Sequence, residues 1–99
     1  MINIINFKNC KGIKNIIRVD RRSILGNPFL MFSEDNREDV CNKYKEYFKL
    51  SLSNNKGFKK EVDHLVTIYK ETNELNLGCW CYPKRCHAET IREYIYKNL

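Results

Sequence analysis

The sequence lacks a long apolar run. No stretch approaches the roughly 20 consecutive apolar residues that a membrane-spanning helix requires. The first residues, 1–6, also lack the charged and then apolar layout of a signal peptide. We therefore expect a cytoplasmic protein with no membrane partner. A chain of 99 residues has no room for a second domain, so we expect one domain over residues 1–99.

Blocks of like charge are also missing, although the chain carries a net charge of +6. Basic and acidic residues are interspersed along the helical stretches, which is typical of a solvated surface. No internal repeat or low-complexity linker interrupts the sequence. A basic chain attracts polyanions, nucleotides and nucleic acids, but its net charge says nothing about its fold.

The cysteines do not form an even set. There are five of them, and no export signal precedes them: Cys10, Cys41, Cys79, Cys81 and Cys86. We therefore expect free thiols in a reducing compartment rather than a disulfide framework.

What the sequence does contain is an alternation of strand-like and helix-like hydrophobic patterns. Short apolar runs predict strands at residues 1–7, 16–19 and 75–81. Apolar residues at helical spacing predict helices over residues 33–55, 58–69 and 86–98. The order favours the α/β class, as a small layered Rossmann-like domain with a short, mainly parallel sheet and about three helices.

The densest cluster of reactive side chains lies at residues 78–87. One interpretation is core packing, because free cysteines such as Cys79 and Cys81 behave as small buried hydrophobes. A second is a tetrahedral zinc site, although the spacing departs from the usual Cys-x2-Cys. We therefore predict no cofactor, with zinc as the alternative on the set Cys79, Cys81, Cys86 and His87.

A third interpretation places a ligand beyond the carboxyl end of the last strand, where α/β sheets commonly bind ligands. The next helix begins there, and its unpaired amides and dipole, with the cations Lys84 and Arg85, favour an anion. The same field is expected to lower the pKa of Cys86, so Cys86 and His87 are the candidates for catalysis. The alternative is that His87 hydrogen bonds the turn while Lys84 and Arg85 are solvated.

Residues 21–29 provide a second wall for such a site. The segment is too rich in Gly, Asn and Pro for a regular element, and we expect a structured loop. Arginines can bind a phosphate or carboxylate through two hydrogen bonds, and small polar side chains can hydrogen bond the polar edge of a ligand. A glycine permits close approach of the ligand to the backbone. The candidates are Arg21, Arg22, Ser23, Gly26 and Asn27. The alternative is a tight turn with Phe29 buried and the arginines in water.

Arg37 is an unfavourable residue for the positive end of the first helix dipole. We expect it either to face the same site or to pair with an acidic neighbour.

Two motifs carry a family resemblance. They are Gly26-Asn27-Pro28-Phe29 and Gly78-Cys79-Trp80-Cys81-Tyr82-Pro83 followed by Cys86-His87. Together they resemble the uncharacterised domain of unknown function family 4326, over about residues 16–97. That family occurs in bacteria and their viruses, and the resemblance implies membership without a function. The Cys-His at a helix start is also similar to an uncharacterised group numbered 488, which implies a Rossmann-like layout.

Three functions remain open. The first is binding of a nucleotide or other phosphate-bearing small molecule between the two walls. In its finer form, this is a viral protein that sequesters a signalling nucleotide in the host cytoplasm. The second is an enzyme that processes a nucleotide or nucleoside with Cys86 or His87. The third is a nucleic-acid-binding module, because aromatic and basic groups interleave at Trp80, Tyr82, Lys84 and Arg85. A homodimer or higher homo-oligomer is a further alternative.

Overall fold

The fold alternates strands and helices in the computed structural model, which describes residues 1–29, 31 and 33–99. The strands are β1 (Ile2–Asn6), β2 (Ile16–Arg18) and β3 (Leu75–Cys79). The helices are α1 (Arg37–Asn54), α2 (Lys56–Thr72) and α3 (Ala88–Lys97). Short 3-10 turns follow β1 at Phe7–Asn9 and lead into α1 at Glu34–Asn36. The predicted α/β class and three helices are confirmed.

The three strands form one parallel sheet in the order β1-β3-β2. In the register, Ile4 of β1 and Ile17 of β2 both lie opposite Leu77 of the central strand. All three strands point the same way, so their carboxyl ends lie at the same edge of the sheet. This is the edge that the sequence predicts to carry the ligand site.

The hydrophobic core lies between the helices and one face of the sheet. The two helical stripes predicted from the sequence supply it, because Tyr44 and Phe48 of α1 meet Phe58 of α2 in one buried cluster. Side chains of the sheet that share the face of Leu77 complete the cluster: Ile2, Ile4, Leu75 and Cys79. Burial of each large apolar side chain contributes about 1.5–3 kcal/mol to folding.

The opposite face of the sheet is covered by the segment after β1. A Cβ atom on Gly78 would lie 2.3 Å from the Phe7 ring, so only a glycine lets that ring pack against β3. Beside it, the Asn3 side-chain amide donates to the side-chain oxygen of Asn76 at 3.0 Å. Asn76 in turn donates to the Lys14 backbone oxygen at 3.1 Å.

The last strand and the last helix are both shorter than their patterns predict. β3 ends at Cys79 and α3 begins at Ala88, whereas the sequence extends the strand to Cys81 and starts the helix at Cys86. The chain turns at once after β3, and the Lys84 amide donates to the Cys81 oxygen at 2.9 Å. Cys81 therefore lies outside the strand, in the turn that follows it.

A single residue separates α1 from α2. Asn55 has an extended backbone, and its side-chain oxygen accepts the Phe58 amide at 3.0 Å. This N-cap satisfies one of the amides that the start of a helix leaves without a helical partner. In the described ranges, no helix is both long enough and apolar enough to cross a membrane.

Candidate functional site

A cavity of about 470 Å³ opens at the carboxyl edge of the sheet. Its walls are the loop segment (residues 20–29, after β2), the turn segment (residues 80–87, after β3) and the start of α1. The two stretches that the sequence singles out therefore meet in space. Most of the predicted binding residues line the cavity: Arg21, Arg22, Asn27, Arg37, Trp80, Arg85, Cys86 and His87.

Three other predicted binding residues lie outside the lining, at Ser23, Gly26 and Lys84. The Ser23 hydroxyl accepts the Leu25 amide at 3.0 Å, which closes a tight turn within the loop segment. Lys84 points its ammonium at Glu34, with Nζ 3.0 Å from Oε1. These three residues therefore do not line the cavity, in contrast to the prediction.

Gly26 is required by the packing of the loop segment on itself. A Cβ atom there would lie 2.4 Å from the Asp20 backbone oxygen and 2.6 Å from the Arg21 Cα. The sequence predicts close approach of a ligand at this glycine, but the group that approaches closely is the chain's own backbone. The adjacent Leu25 is fully buried, and its oxygen accepts the Tyr44 hydroxyl at 2.6 Å. The loop is thereby fixed on α1.

Asn27 lines the cavity, but its side-chain amide is engaged in the fold. Its oxygen accepts the Phe29 amide at 2.9 Å, and its nitrogen lies 3.5 Å from the Val40 oxygen. The predicted structured loop is therefore real, and Asn27 presents only part of its polar surface to the cavity. Phe29 is half-buried and packs edge-on against Tyr47 of α1.

Asp20 is the polar centre of the site, and the sequence reasoning did not select it. It is buried, and its carboxylate accepts the Trp80 indole N–H at 2.9 Å. Arg18 contacts the same oxygen at 2.5 Å, while the Arg22 amide donates to the other oxygen at 3.2 Å. One carboxylate thus joins β2, the loop segment and the turn segment. The only sequence signal was an acidic residue directly after an apolar strand.

Trp80 lies at the mouth of the cavity with 51% of its surface exposed. Its indole nitrogen is held by Asp20, and its ring packs against Phe7 with a centroid separation of 5.2 Å. The ring therefore has a fixed orientation and an accessible surface. An aromatic side chain of this kind is suited to stack on a planar ligand.

Arg21 and Arg22 lie on the same side of the cavity and are both exposed. Arg21 Nη2 donates to the Phe29 backbone oxygen at 3.0 Å, which leaves most of its guanidinium free. Among residues 1–29, 31 and 33–99, no carboxylate forms an ion pair with either side chain. These two guanidiniums therefore remain free for an anion that enters the cavity.

The cations of the opposite wall are paired with acids at the start of α1. Arg37 forms a bidentate ion pair with Glu34, and its Nη1 donates to the Arg85 backbone oxygen at 2.9 Å. The Arg85 guanidinium contacts Glu38 and donates to Asn42 at 3.1 Å. With the Lys84–Glu34 pair, these contacts hold the turn segment against α1. Arg37 both faces the cavity and pairs with an acidic neighbour, the two outcomes expected for it.

Glu34 is the acid that joins most of this wall. Its hydrogen bond from the Arg37 guanidinium, and then that from the Lys84 ammonium, hold the pKa of the carboxyl at about 2. The carboxylate is therefore ionised throughout the neutral and mildly acidic range. The side chain is 58% exposed, so salt screens both ion pairs.

His87 is a buried histidine at the end of the turn segment. Its Nε2 contacts the Val19 backbone oxygen, and because a carbonyl only accepts, the proton lies on Nε2. Burial lowers the pKa of His87, against the opposing effects of Val19 and Asp20. The imidazole is therefore neutral at neutral pH, and its edge packs on the Tyr44 ring at 4.9 Å between centroids. It fixes the turn segment to the end of β2, whereas the alternative given from the sequence was a hydrogen bond to the turn itself.

The chemistry of Cys86 differs from the prediction that its pKa is lowered. Its thiol donates to Cys79, with the two sulfurs 3.4 Å apart. This hydrogen bond, and then burial, raise the pKa of Cys86, whereas the same hydrogen bond lowers the pKa of Cys79. The lower pKa of the pair therefore belongs to Cys79. The expectation from the helix start did not include a second sulfur, which accepts a hydrogen bond from the Cys86 thiol.

The start of α3 already holds an acid from the chain itself. The Glu89 carboxylate accepts the Cys86 amide at 3.3 Å. The sequence predicts that an external anion binds the unpaired amides at this helix start. An internal carboxylate occupies that position instead. An incoming anion therefore has its available cations at Arg21 and Arg22, across the cavity.

The described part of the chain contains no preformed cluster of metal ligands. No group of three or more His, Cys, Asp or Glu side chains there is arranged to hold a metal ion. Of the four residues considered for zinc, His87 has its Nε2 on the Val19 oxygen. Metal analysis of the purified protein remains the direct test of the zinc alternative.

The apolar part of the cavity was also missed from the sequence. Its lining includes side chains from the loop segment, from Met31, from the first turns of α1 and from the turn segment: Phe29, Met31, Val40, Cys41 and Cys81. Val40 is predicted to face the core from its helical spacing, and such a pattern does not separate core from cavity wall. The cavity therefore combines apolar walls with a few polar groups, which is the usual make-up of small-molecule sites.

Comparison with known families gives one finding. The model of the Domain of unknown function (DUF4326) family matches residues 2–97. The chain belongs to this family. The match extends closer to the first residue than the resemblance read from the motifs, which began near residue 16. A search of the curated proteins found no match, and a search of the solved structures found none.

Proposed function

We propose that the cavity at the carboxyl edge of the sheet binds a nucleotide or another phosphate-bearing small molecule. The observation that carries the proposal is the mouth of the cavity. There an oriented, half-exposed indole at Trp80 lies on the same cavity as the exposed guanidiniums of Arg21 and Arg22, which have no described carboxylate partner. A stacking surface and two cations match a planar base and its phosphate.

The size and lining of the cavity support a small ligand. A volume of about 470 Å³ lies within the range of about 300–1,000 Å³ that is typical of small-molecule sites. The floor is built from groups that the fold has already fixed, including Asp20 and His87. A site whose polar groups are held in place loses little entropy when it binds.

The other two functions receive less support from the geometry. The nucleic-acid interpretation depends on Lys84 and Arg85, but both of these side chains are paired with acids. The enzyme interpretation depends on Cys86 or His87, but the Cys86 thiol keeps its proton and the His87 Nε2 is engaged. The binding proposal has a more specific form, in which the chain is a viral protein that sequesters a host signalling nucleotide in the cytoplasm.

The test is a thermal-shift and calorimetric screen of nucleoside phosphates, cyclic dinucleotides and ADP-ribose. The variant Arg21→Gln/Arg22→Gln removes the two free cations. The matched control Lys56→Gln/Lys60→Gln removes the same charge from exposed positions of α2. A ligand of the wild type should bind the arginine variant at least about tenfold more weakly, because the loss of even one charged hydrogen bond costs about 1.5–3 kcal/mol. The lysine control should bind it as the wild type does.

Two results would overturn the proposal. One is that no compound of the panel binds the wild-type protein. The other is that the arginine and lysine variants lose the same affinity, which would indicate attraction by net charge alone. A single-stranded oligonucleotide is included in the panel, and tight binding of it with a steep dependence on salt would favour the nucleic-acid module.

A further inference from the structure

The thiols of Cys79 and Cys86 form a pair between the end of β3 and the start of α3. Their sulfurs lie 3.4 Å apart, with Cys86 as the donor. Both residues are buried, and Cys86 lines the cavity whereas Cys79 does not, so a small solute in the cavity reaches the Cys86 sulfur first. In contrast, the thiols of Cys10 and Cys41 point at backbone oxygens, at 3.2 and 3.8 Å.

We propose that Cys79 and Cys86 are a redox-active dithiol, which a hydroperoxide converts into a disulfide and a small thiol converts back. The proposal rests on the sulfur–sulfur contact and on the access that the cavity gives to Cys86. It is independent of what else the cavity binds.

The surroundings of Cys79 favour the reactive form of the pair. The Cys86 thiol donates to the Cys79 sulfur, and the backbone amides of Cys81 and Tyr82 also hydrogen bond to it. These donors lower the pKa of Cys79 although burial opposes them. A thiolate is the form of cysteine that attacks an oxidant, and an adjacent thiol is what resolves the product.

The reaction balances with one hydroperoxide per disulfide. The Cys86 proton passes to the Cys79 sulfur as the Cys86 sulfur attacks one peroxide oxygen, the O–O bond breaks, Cys86 becomes a sulfenic acid and hydroxide leaves to the solvent. The Cys79 sulfur then attacks the Cys86 sulfur, so that the S–S bond forms and the S–O bond breaks. The departing hydroxide takes the Cys79 proton and leaves as water. Both sulfurs are oxidised and the peroxide is reduced.

Closing the disulfide requires a small movement. The sulfurs must approach from 3.4 Å to about 2.0 Å. The bond would tie the last residue of β3 to the residue before His87, across the turn segment that carries Trp80. The oxidised form would therefore lose one thiol from the cavity wall.

The test treats the full-length wild-type protein with hydrogen peroxide and then alkylates the remaining thiols under denaturing conditions. Mass spectrometry should show the loss of two hydrogen atoms, with Cys79 and Cys86 joined in one peptide pair. Dithiothreitol should restore both thiols.

The controls separate this pair from general oxidation. Cys10→Ser, at a thiol outside the cavity lining, should form the same disulfide at the wild-type rate. Cys79→Ser, checked for folding by circular dichroism, should accumulate oxidised Cys86 without a disulfide. The proposal is overturned if the wild-type thiols at 79 and 86 remain free after peroxide, or if the disulfide that forms joins Cys81 instead.

Discussion

The two walls of the cavity carry the same kind of charge and use it differently. On the loop segment, Arg21 and Arg22 are exposed, and no carboxylate in the described ranges pairs with them. On the turn segment, Lys84 contacts Glu34, which lies just before α1, and Arg85 contacts Glu38 in the first turn of α1. The first wall leaves its cations to a ligand, and the second uses them to hold the protein together.

The difference shows that the role of a basic residue depends on the acids that the fold brings to it. Glu34 precedes Lys84 by 50 positions, yet their charged groups lie 3.0 Å apart. Asp20, the acid nearest to Arg21 in the sequence, is occupied by Arg18 and Trp80 instead. Changes that damage one wall and spare the other therefore test the comparison directly.

Replacing Gly26 by alanine should damage the loop wall most. The new Cβ would collide with the backbone of Asp20 and Arg21, which cannot move without breaking the loop. We expect a loss of about 3 kcal/mol in the free energy of unfolding, measured by urea denaturation. Gly57→Ala is the matched control, because its Cβ would meet only side-chain atoms, the end of Ile24 at 3.4 Å and the Asn55 oxygen at 3.5 Å. That control should be neutral or slightly stabilising, and an equal loss in both variants would contradict the packing argument.

His87 should make the contact between the two walls sensitive to acid. Burial lowers the pKa of His87 below that of the unfolded chain, so the unfolded state takes up a proton first. Stability is therefore fully present above about pH 6.5 and falls below it, at up to about 1.4 kcal/mol per pH unit. Urea denaturation between pH 7.5 and 5 should show this slope in the wild type and in His64→Gln. In His87→Gln the slope should be absent, and its persistence would show that another group causes it.

The comparison also marks what the sequence predicts and what it does not. The stripes of α1 and α2 are local patterns, so the burial of Tyr44 and Phe58 follows from residue spacing alone. The meeting of the loop and turn segments was predicted because both follow strands of one parallel sheet. The strand order was not assigned, because hydrophobic patterns do not specify which strands are neighbours.

The details of the site depended on contacts between distant residues. The pairing of Arg85 with Glu38 and the occupation of Asp20 by Trp80 join residues far apart in the sequence. The Cys79–Cys86 hydrogen bond reversed the expected direction of the pKa of Cys86. Residue types identified where the site lies, and tertiary contacts decided which side chains remain available there.

Replacing Trp80 by phenylalanine tests how much the indole hydrogen bond to Asp20 stabilises the loop wall. The variant keeps an aromatic ring against Phe7 but removes the indole donor to Asp20. We expect a loss of about 1 kcal/mol in the free energy of unfolding, since Arg18 and the Arg22 amide still satisfy the carboxylate. Tyr82→Phe, at another exposed aromatic of the turn segment, is the control and should change little. Equal effects of the two changes would mean that the indole hydrogen bond does not stabilise the wall.

The smallest effect is expected at the second wall, where Glu34→Gln removes the acid shared by Arg37 and Lys84. Those two hydrogen bonds hold the pKa of Glu34 at about 2, below the value of 4.5 in an unfolded chain. The stabilisation is therefore present above about pH 4.5 and is lost as the pH falls towards 2, so the wild type and the variant should converge over that range. Because Glu34 is exposed, added salt should also reduce the difference in melting temperature. Glu46→Gln, which removes an exposed pair at 3.8 Å with Lys49 within α1, is the control. If the two variants have the same small effect, the contacts across the cavity add nothing to those of an ordinary surface pair.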